Sequence, residues 1–479
     1  MMGMIALNKK PNIKKNYIYN TLYQAVTMLI PIATAPYLAR IFGPDGVGIC
    51  SYTSSISSIF ILLATFGTAS YGQREVAMVR DDRNKASQTF WEIEMINIII
   101  TCICLLLWFA FTMLSTRYTI LFSVLSLQII AVIFDISWLY ASYEDFKTIM
   151  VRNTIVKVIG LILTFILVKS YNDLFLYLLI VSLTILIGNA STWIKISKLV
   201  DMPKLKSLKL NKHFKQTFIY FVPALATSVY TILDKTMIGY ITRDELENGY
   251  YEQATKIINI AKTLVFSFNT IMYARMSYIF AKKDLNKLRQ NLETSLDFIC
   301  LISVPLSFGI AAISNKFVPW FFGTGYEPVI LLIYLLSPLV FIIGISNFIS
   351  IQCLTPIGKR KESSKAIIVG AVVNFILNSI LIYFFKSIGA VIATIVAELL
   401  ITITFIVMAK EYIPFKNICQ HSYKKIISAL LMSIIIIIVG NYLSATILTT
   451  IIQIFIGIII YFLSLFILKD NFLQNIKKM

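Results

Sequence analysis

Ionisable side chains are scarce in this 479-residue chain. They make up 14% of it, against roughly a quarter in a soluble domain. Acids are the scarcer sign, with 24 Asp and Glu against 43 Lys and Arg. Only two histidines are present, His213 and His421, and each stands alone in a polar connection. The six cysteines form no CxxC pair and no Cys/His cluster. Cys102 and Cys104 share one apolar segment, and Cys50, Cys300 and Cys353 lie in or beside others. No metal or cofactor site is therefore expected. Long polar stretches are also missing. The longest runs roughly from Lys195 to Lys215, too short for a separate catalytic domain, so an enzyme is not expected. The start, MMGMIALNKKPNIKK, has no small-residue cleavage site after a short apolar core. Its lysines 9, 10, 14 and 15 read as a topology anchor.

What is present is apolar: 58% of the residues are hydrophobic. Apolar segments recur at about 17–41, 48–71, 89–114, 118–141, 154–170, 173–194, 215–240, 251–279, 295–314, 328–350, 364–386, 389–409, 424–444 and 447–468. A bilayer crossing needs about 20 such residues, and most centres carry no charge. The expectation is an all-α polytopic membrane protein with about fourteen spans. The segment 154–170 is the shortest.

Loop charge orients these spans. With the N-terminus inside, alternate loops and both ends hold 32 Lys and Arg, and the outer loops hold six: Arg40, Arg117, Lys169, Arg243, Lys316 and Lys386. Positive charge retained on the cytoplasmic side accounts for that asymmetry. Both termini are expected in the cytoplasm. The charge of +19 is thus mostly topological, and nucleic acid is not an expected partner.

A weak repeat is visible. YLARIFGPDGVGICSYTSSI, joining segments 1 and 2, parallels TMIGYITRDELENGYYEQATKI, joining 7 and 8. Segments 4 to 6 likewise parallel 10 to 12. An offset of six spans gives two halves of one orientation, with residues 424–468 outside the repeat; transporters are often built this way. The expected domains are 1–200, 201–415 and a terminal pair, 416–479.

Five cations remain after the loops are counted: Lys157, Lys235, Lys256, Lys262 and Arg275. A charge inside a span is costly and usually faces water or a partner. Lys157 is near enough to an inner end to snorkel. Lys262 is about ten residues deep. Lys256, Asn259, Lys262, Thr263, Ser267, Asn269 and Tyr273 share an arc of roughly 160° on one helix, as a water-facing helix would. Three carboxylates are read as intramembrane: Asp135, Asp234 and Glu398. Prolines 31, 36, 223, 305 and 338 are expected to interrupt helices.

NTLYQAVTMLIPIATAPYLARIFGPDGVGICSY with YGQREVA, then LDKTMIGYI and NGYYEQATKI, then FGTGYEP, QCLTPIGKRKES and SIGAVIATIVAELL, form an ordered set. It resembles bacterial Wzx-type oligosaccharide flippases of the multidrug/oligosaccharidyl-lipid/polysaccharide exporter superfamily, through about residue 410. The resemblance implies two six-helix bundles plus two helices around a central cavity. It also implies an undecaprenyl-pyrophosphate-linked oligosaccharide as substrate, flipped across the cytoplasmic membrane. One departure is Ala274 before Arg275, where the family often has proline. The expected substrate-binding residues are Arg40, Lys235, Lys256, Asn259, Lys262, Asn269 and Arg275. Asp234 and Glu398 are the expected ion-coupling residues, for H⁺ or Na⁺. Membrane lipids are expected partners, and a polysaccharide polymerase complex is an open expectation. Two other readings stand: a multidrug antiporter, which would want an acidic cavity, and a membrane polymerase or glycosyltransferase, which would want a large outer loop.

Overall fold

A computed structural model describes residues 13–202, 208–282 and 284–470, without the side chains of 13–28, 223–224, 226–231, 270–271, 274 and 415. The lysine side chains at 9, 10, 14, 15, 204, 206, 283, 477 and 478, the proline ring at 223 and the alanine methyl at 274 therefore lie outside the described residues.

A backbone in hydrocarbon must satisfy its own N–H and C=O groups, and the helix does so within one segment. The described residues form helices joined by short turns. Ten helical stretches are long and apolar enough to cross a bilayer. Two of these, Leu29–Val79 and Arg360–Met408, turn inside at Gly43 and Lys386; Leu29–Val79 is interrupted again at Phe66–Gly67, and Thr119–Ser142 at 134–136. Two more helices, Leu210–Thr242 and Glu245–Ala281, have 33 and 37 residues and complete a set of fourteen among the described residues. We number them α1 (13–42), α2 (44–79), α3 (Arg83–Leu114), α4 (Thr119–Ser142), α5 (Phe146–Leu167), α6 (Tyr171–Lys198), α7 (Leu210–Thr242), α8 (Glu245–Ala281), α9 (Leu285–Phe322), α10 (Glu327–Leu354), α11 (360–385), α12 (387–408), α13 (Phe415–Asn441) and α14 (Ile447–Ile467). Each falls on one of the fourteen apolar segments. The short segment 154–170 belongs to α5, which starts earlier because Asp145 caps it, accepting from Thr148 N at 3.2 Å.

The breaks do not follow proline. Helix α1 runs through Pro31 and Pro36, and α9 through Pro305 and Pro319. The chain turns instead at Gly43, whose φ of 64° suits glycine, and at Lys386, with φ 51°. Lys386 is held there by ion pairs to Asp244 at 3.0 Å and Glu247 at 3.5 Å. Pro338 does mark a junction, and α10 ends in a π-helical turn, Ile349–Leu354.

The chain divides into two compact units, 1–42 with 50–232 and 43–49 with 233–479. Most of α7 therefore belongs to the first unit, and residues 43–49, the start of α2 included, to the second.

In the first unit, the turns between helices are tied by side chains. Arg83 donates to both oxygens of Asp201, at 2.7 and 2.6 Å, a bidentate grip that holds this carboxyl below its ordinary range. His213 is not alone, as the sequence suggested. It is fully buried, 2.8 Å from both Tyr71 Oη and Glu92 Oε2. Trp138, Phe90 and Tyr71 form part of the core beside it, and a methyl group on Gly72 would lie 2.7 Å from the Trp138 ring.

In the second unit, two glycines allow backbone contact. A methyl group on Gly48 would stand 1.8 Å from the Glu245 carbonyl oxygen, and one on Gly249 1.9 Å from that of Pro44. Each is the last glycine of its repeat motif, and the two contacts are reciprocal. The terminal pair α13–α14 belongs to this unit and packs on α9 through Leu301, Val304, Met432, Ile436 and Tyr461. Lys425, fully buried, bonds Asp297 at 2.5 Å and Asp470 at 3.1 Å, and His421 lies 3.1 Å from Asp297. Buried charges survive only when paired in this way.

Gly48→Ala or Gly249→Ala is expected to destabilise the purified protein by roughly 1–3 kcal/mol or more, the cost of overpacking. Thermal unfolding measures it. Gly309→Ala is the control, since its methyl group meets only Met432 Cε at 3.6 Å.

Candidate functional site

The charged residues singled out in the spans gather mainly in the second unit, on α7, α8 and α12. Asp234 and Lys235 are neighbours on α7, and adjacent helical residues point about 100° apart. The structure sends them to different partners.

Asp234 is 2% exposed and fully engaged. Tyr251 Oη on α8 donates to its Oδ2 at 2.6 Å, and Thr394 Oγ1 on α12 donates to the same oxygen at 2.9 Å. Asn378 Nδ2 on α11 donates to Oδ1 at 2.6 Å and to Asn374 Oδ1 at 3.0 Å. Asn374 Nδ2 lies 3.4 Å from Thr394 Oγ1. Four helices thus converge on one carboxylate. The cage keeps an oxygen over: among the described residues, Asn378 Oδ1 is buried without a donor. An oxygen-lined enclosure around one carboxylate has the chemistry to hold a proton or a small hard cation.

Lys235 and Lys256 share a single partner, Glu252, at 2.5 and 3.2 Å. Both lysines are partly exposed, and Glu252 sits between them one turn before Lys256. Glu252 carries no signal of its own in the sequence. It lies in an acidic-looking stretch near the start of α8, and only the fold shows that it serves two cations.

Lys262 differs from both. It lies midway along α8 and, among the described residues, makes no ion pair or hydrogen bond. The carboxylates whose charges reach it are Glu398 on α12 and Asp234. Glu398 is 4% exposed. Beside Lys262, Asn259, Thr263 and Ser267 are exposed, and Tyr273 is exposed further along. That much of the polar arc is open.

Asn269 departs from the expectation. It is fully buried, donating to Asn347 Oδ1 at 2.8 Å and accepting from Gln352 Nε2 at 2.7 Å. Ser295 Oγ then donates to Gln352 Oε1 at 2.6 Å. Asn269 ties α8 to the π-turn of α10 and to α9. At the edge of the arc, it turns inward because the π-turn presents Gln352 to it. Arg275 is exposed, as is Arg40, which ends α1 in the first unit. Lys157 is exposed on α5.

Two further carboxylates in α3, Glu92 and Glu94, are buried, and the sequence did not single them out. They are near the start of an apolar segment, where sequence alone reads an acid as interfacial. No group of three or more His, Cys, Asp or Glu side chains able to hold a metal is found among the described residues.

Glu252→Gln leaves Lys235 and Lys256 without their shared carboxylate. It is expected to destabilise the second unit by about 1–3 kcal/mol, read as a lower unfolding midpoint, and the loss should shrink when Lys256→Met is combined with it.

Residues 13–280 match the family described as polysaccharide biosynthesis protein. The chain is 24% identical over 404 residues to a putative O-antigen transporter of Escherichia coli K12, spanning 82% of this chain and 95% of that one. It is 22% identical over 201 residues to a probable low-salt glycan biosynthesis flippase of Haloferax volcanii, 42% of each chain. Among solved structures it is similar to the lipid II flippase MurJ in an inward closed conformation, with a TM-score of 0.74 and 18% identity over 94% of this chain and 98% of that one. It is also similar to an inward-facing MATE transporter of the MOP superfamily, with a TM-score of 0.62 and 10% identity over 85% and 96%. These likenesses agree with the resemblance carried by the ordered motifs. With more than half its length matched, this all-α, multi-pass membrane protein belongs to the polysaccharide biosynthesis protein family and shares the fold of MOP superfamily transporters.

Proposed function

We propose that the chain flips an undecaprenyl-pyrophosphate-linked oligosaccharide unit from the inner to the outer leaflet of the cytoplasmic membrane, by alternating access, for surface polysaccharide biosynthesis. In this reading both termini are cytoplasmic. The halves 1–200 and 201–415 are the repeated bundles, and 416–479 is an added pair. The observation that carries the reading is Lys262, a cation in mid-helix beside an exposed polar strip and without a paired anion among the described residues. A diphosphate entering hydrocarbon needs compensating positive charge, and an ammonium without a bound counter-ion is ready to supply it. Lys235 and Lys256 are a second station: their Glu252 partner is the carboxylate that a diphosphate would displace. Arg275, exposed on the same helix, and Asn259 complete the polar path of α8, and Arg40, exposed in the first unit, is a further cation for the diphosphate. Asn269 contributes by holding α8 to α10.

Asp234, inside its cage of hydroxyl and amide groups, is the coupling residue for H⁺ or Na⁺, with Glu398 the carboxylate that senses Lys262. Occupancy at Asp234 changes the charge seen by Lys262, which links the ion to the substrate. A multidrug antiporter of the same superfamily is the other reading. A cationic drug would be repelled by Lys262, so the choice turns on the sign of this one charge.

Lys262→Glu is expected to abolish surface polysaccharide export in cells while the protein level stays normal, and Lys262→Arg to keep part of it. Full export by Lys262→Glu would overturn the assignment. Asp234→Asn is expected to leave a folded protein whose export no longer responds to the H⁺ or Na⁺ gradient. An unchanged ion dependence would remove Asp234 from coupling, and the same measurement on Glu398→Gln decides its part.

A further inference from the structure

The first unit contains a buried carboxyl that the proposed cycle does not use. Glu94, on α3, is fully buried. Its Oε1 accepts from Asn97 Nδ2 at 3.2 Å. Among the described residues its Oε2 has no hydrogen-bond partner and no cation pairs with it. Glu92, two residues earlier, shows the contrast. That carboxylate accepts from Gln88 Nε2 at 2.9 Å and the Lys209 backbone N–H at 2.9 Å, and it faces the His213 ring at 2.8 Å.

The surroundings of Glu94 hold further polar atoms without partners among the described residues. Asn97 Oδ1 and Thr101 Oγ1, at i+3 and i+7 on the same helix face, are buried without partners too. Asn97 Nδ2 also donates to the Val132 carbonyl at 3.2 Å, so this face meets the end of the helix Thr119–Ile133, where carbonyl oxygens concentrate negative charge. Further along α3, Cys104 packs with Ala64 and Val132 in an apolar cluster. The charged group whose field reaches Glu94 is another acid, Asp135, whose Oδ1 accepts from the backbone N–H and hydroxyl of Ser137. An ionised Glu94 would stand in a dry interior with one bare oxygen, a like charge and a helix C-terminus as neighbours, and no counter-ion. Each is unfavourable to a carboxylate. A carboxylic acid carries no charge and adds a donor beside the bare oxygen of Asn97.

We propose that Glu94 is a proton-binding site of the first unit, its side chain resting as the carboxylic acid. Its ligand is a single proton. When the site is wetted, Glu94 gives the proton to water and becomes a carboxylate; on drying it takes the proton back from hydronium, and no other bond changes. The site is separate from Asp234 and does not depend on the flippase reading, because it rests on burial and hydrogen bonding in α3 and α4.

Infrared spectra of the purified full-length protein in detergent at neutral pH, compared between wild type and Glu94→Gln, test this. The expected difference is loss of a carboxylic-acid C=O band in the variant, with the unfolding midpoint unchanged because the amide copies the size and neutrality of the acid. Glu94→Ala should unfold at a lower temperature than either. Loss of an ionised-carboxylate band in place of the acid band would overturn the proposal. So would failure of Glu94→Gln to fold, since a neutral isostere would then be intolerable where a neutral acid is claimed.

Discussion

Water is absent from the bilayer interior, so every polar group placed there must find its partner within the protein. That constraint makes the described chain helical, and it also decides where each charged side chain goes. Asp234 is tolerated because Tyr251, Asn378 and Thr394 donate to it from three other helices. Lys425 is tolerated because Asp297 and Asp470 close on it. Asn269 is tolerated because Asn347 and Gln352 answer both ends of its amide.

The groups that lack partners carry the functional argument. Among the described residues, Lys262 has no counter-ion and Glu94 has an oxygen without a donor. One is a positive charge beside an exposed polar strip, suited to an anion that comes and goes. The other is a buried acid with no cation paired to it among the described residues, suited to a proton. Their opposite chemistry follows from exposure: Lys262 is partly open, whereas Glu94 is sealed.

The glycine contact adds a second constraint. Gly48 and Gly249 touch backbone to backbone because neither carries a Cβ. Each is the last glycine of its repeat motif, so the repeat recorded in the sequence becomes a reciprocal contact in space. Residues 43–49, the break at Gly43 and the start of α2, pack as part of the second unit for this reason.

The fourteen apolar segments were legible in the sequence because hydropathy and helix length are local properties, set by the thickness of hydrocarbon. The isolation of Lys262 deep in a span was legible for the same reason. Helix breaks were less so: Gly43 and Lys386 turn the chain, whereas Pro31, Pro36 and Pro305 do not, because neighbouring contacts decide whether a kink is expressed. The partners of the charged residues were not legible. Glu252 serving two lysines, His213 joining Tyr71 to Glu92 and Asn269 turning inward all depend on residues from separate helices. Side-chain chemistry alone settles which residues are costly to bury, and that is written in the sequence. Which of them are compensated is a matter of tertiary structure, since compensation acts over a few ångströms between segments far apart along the chain.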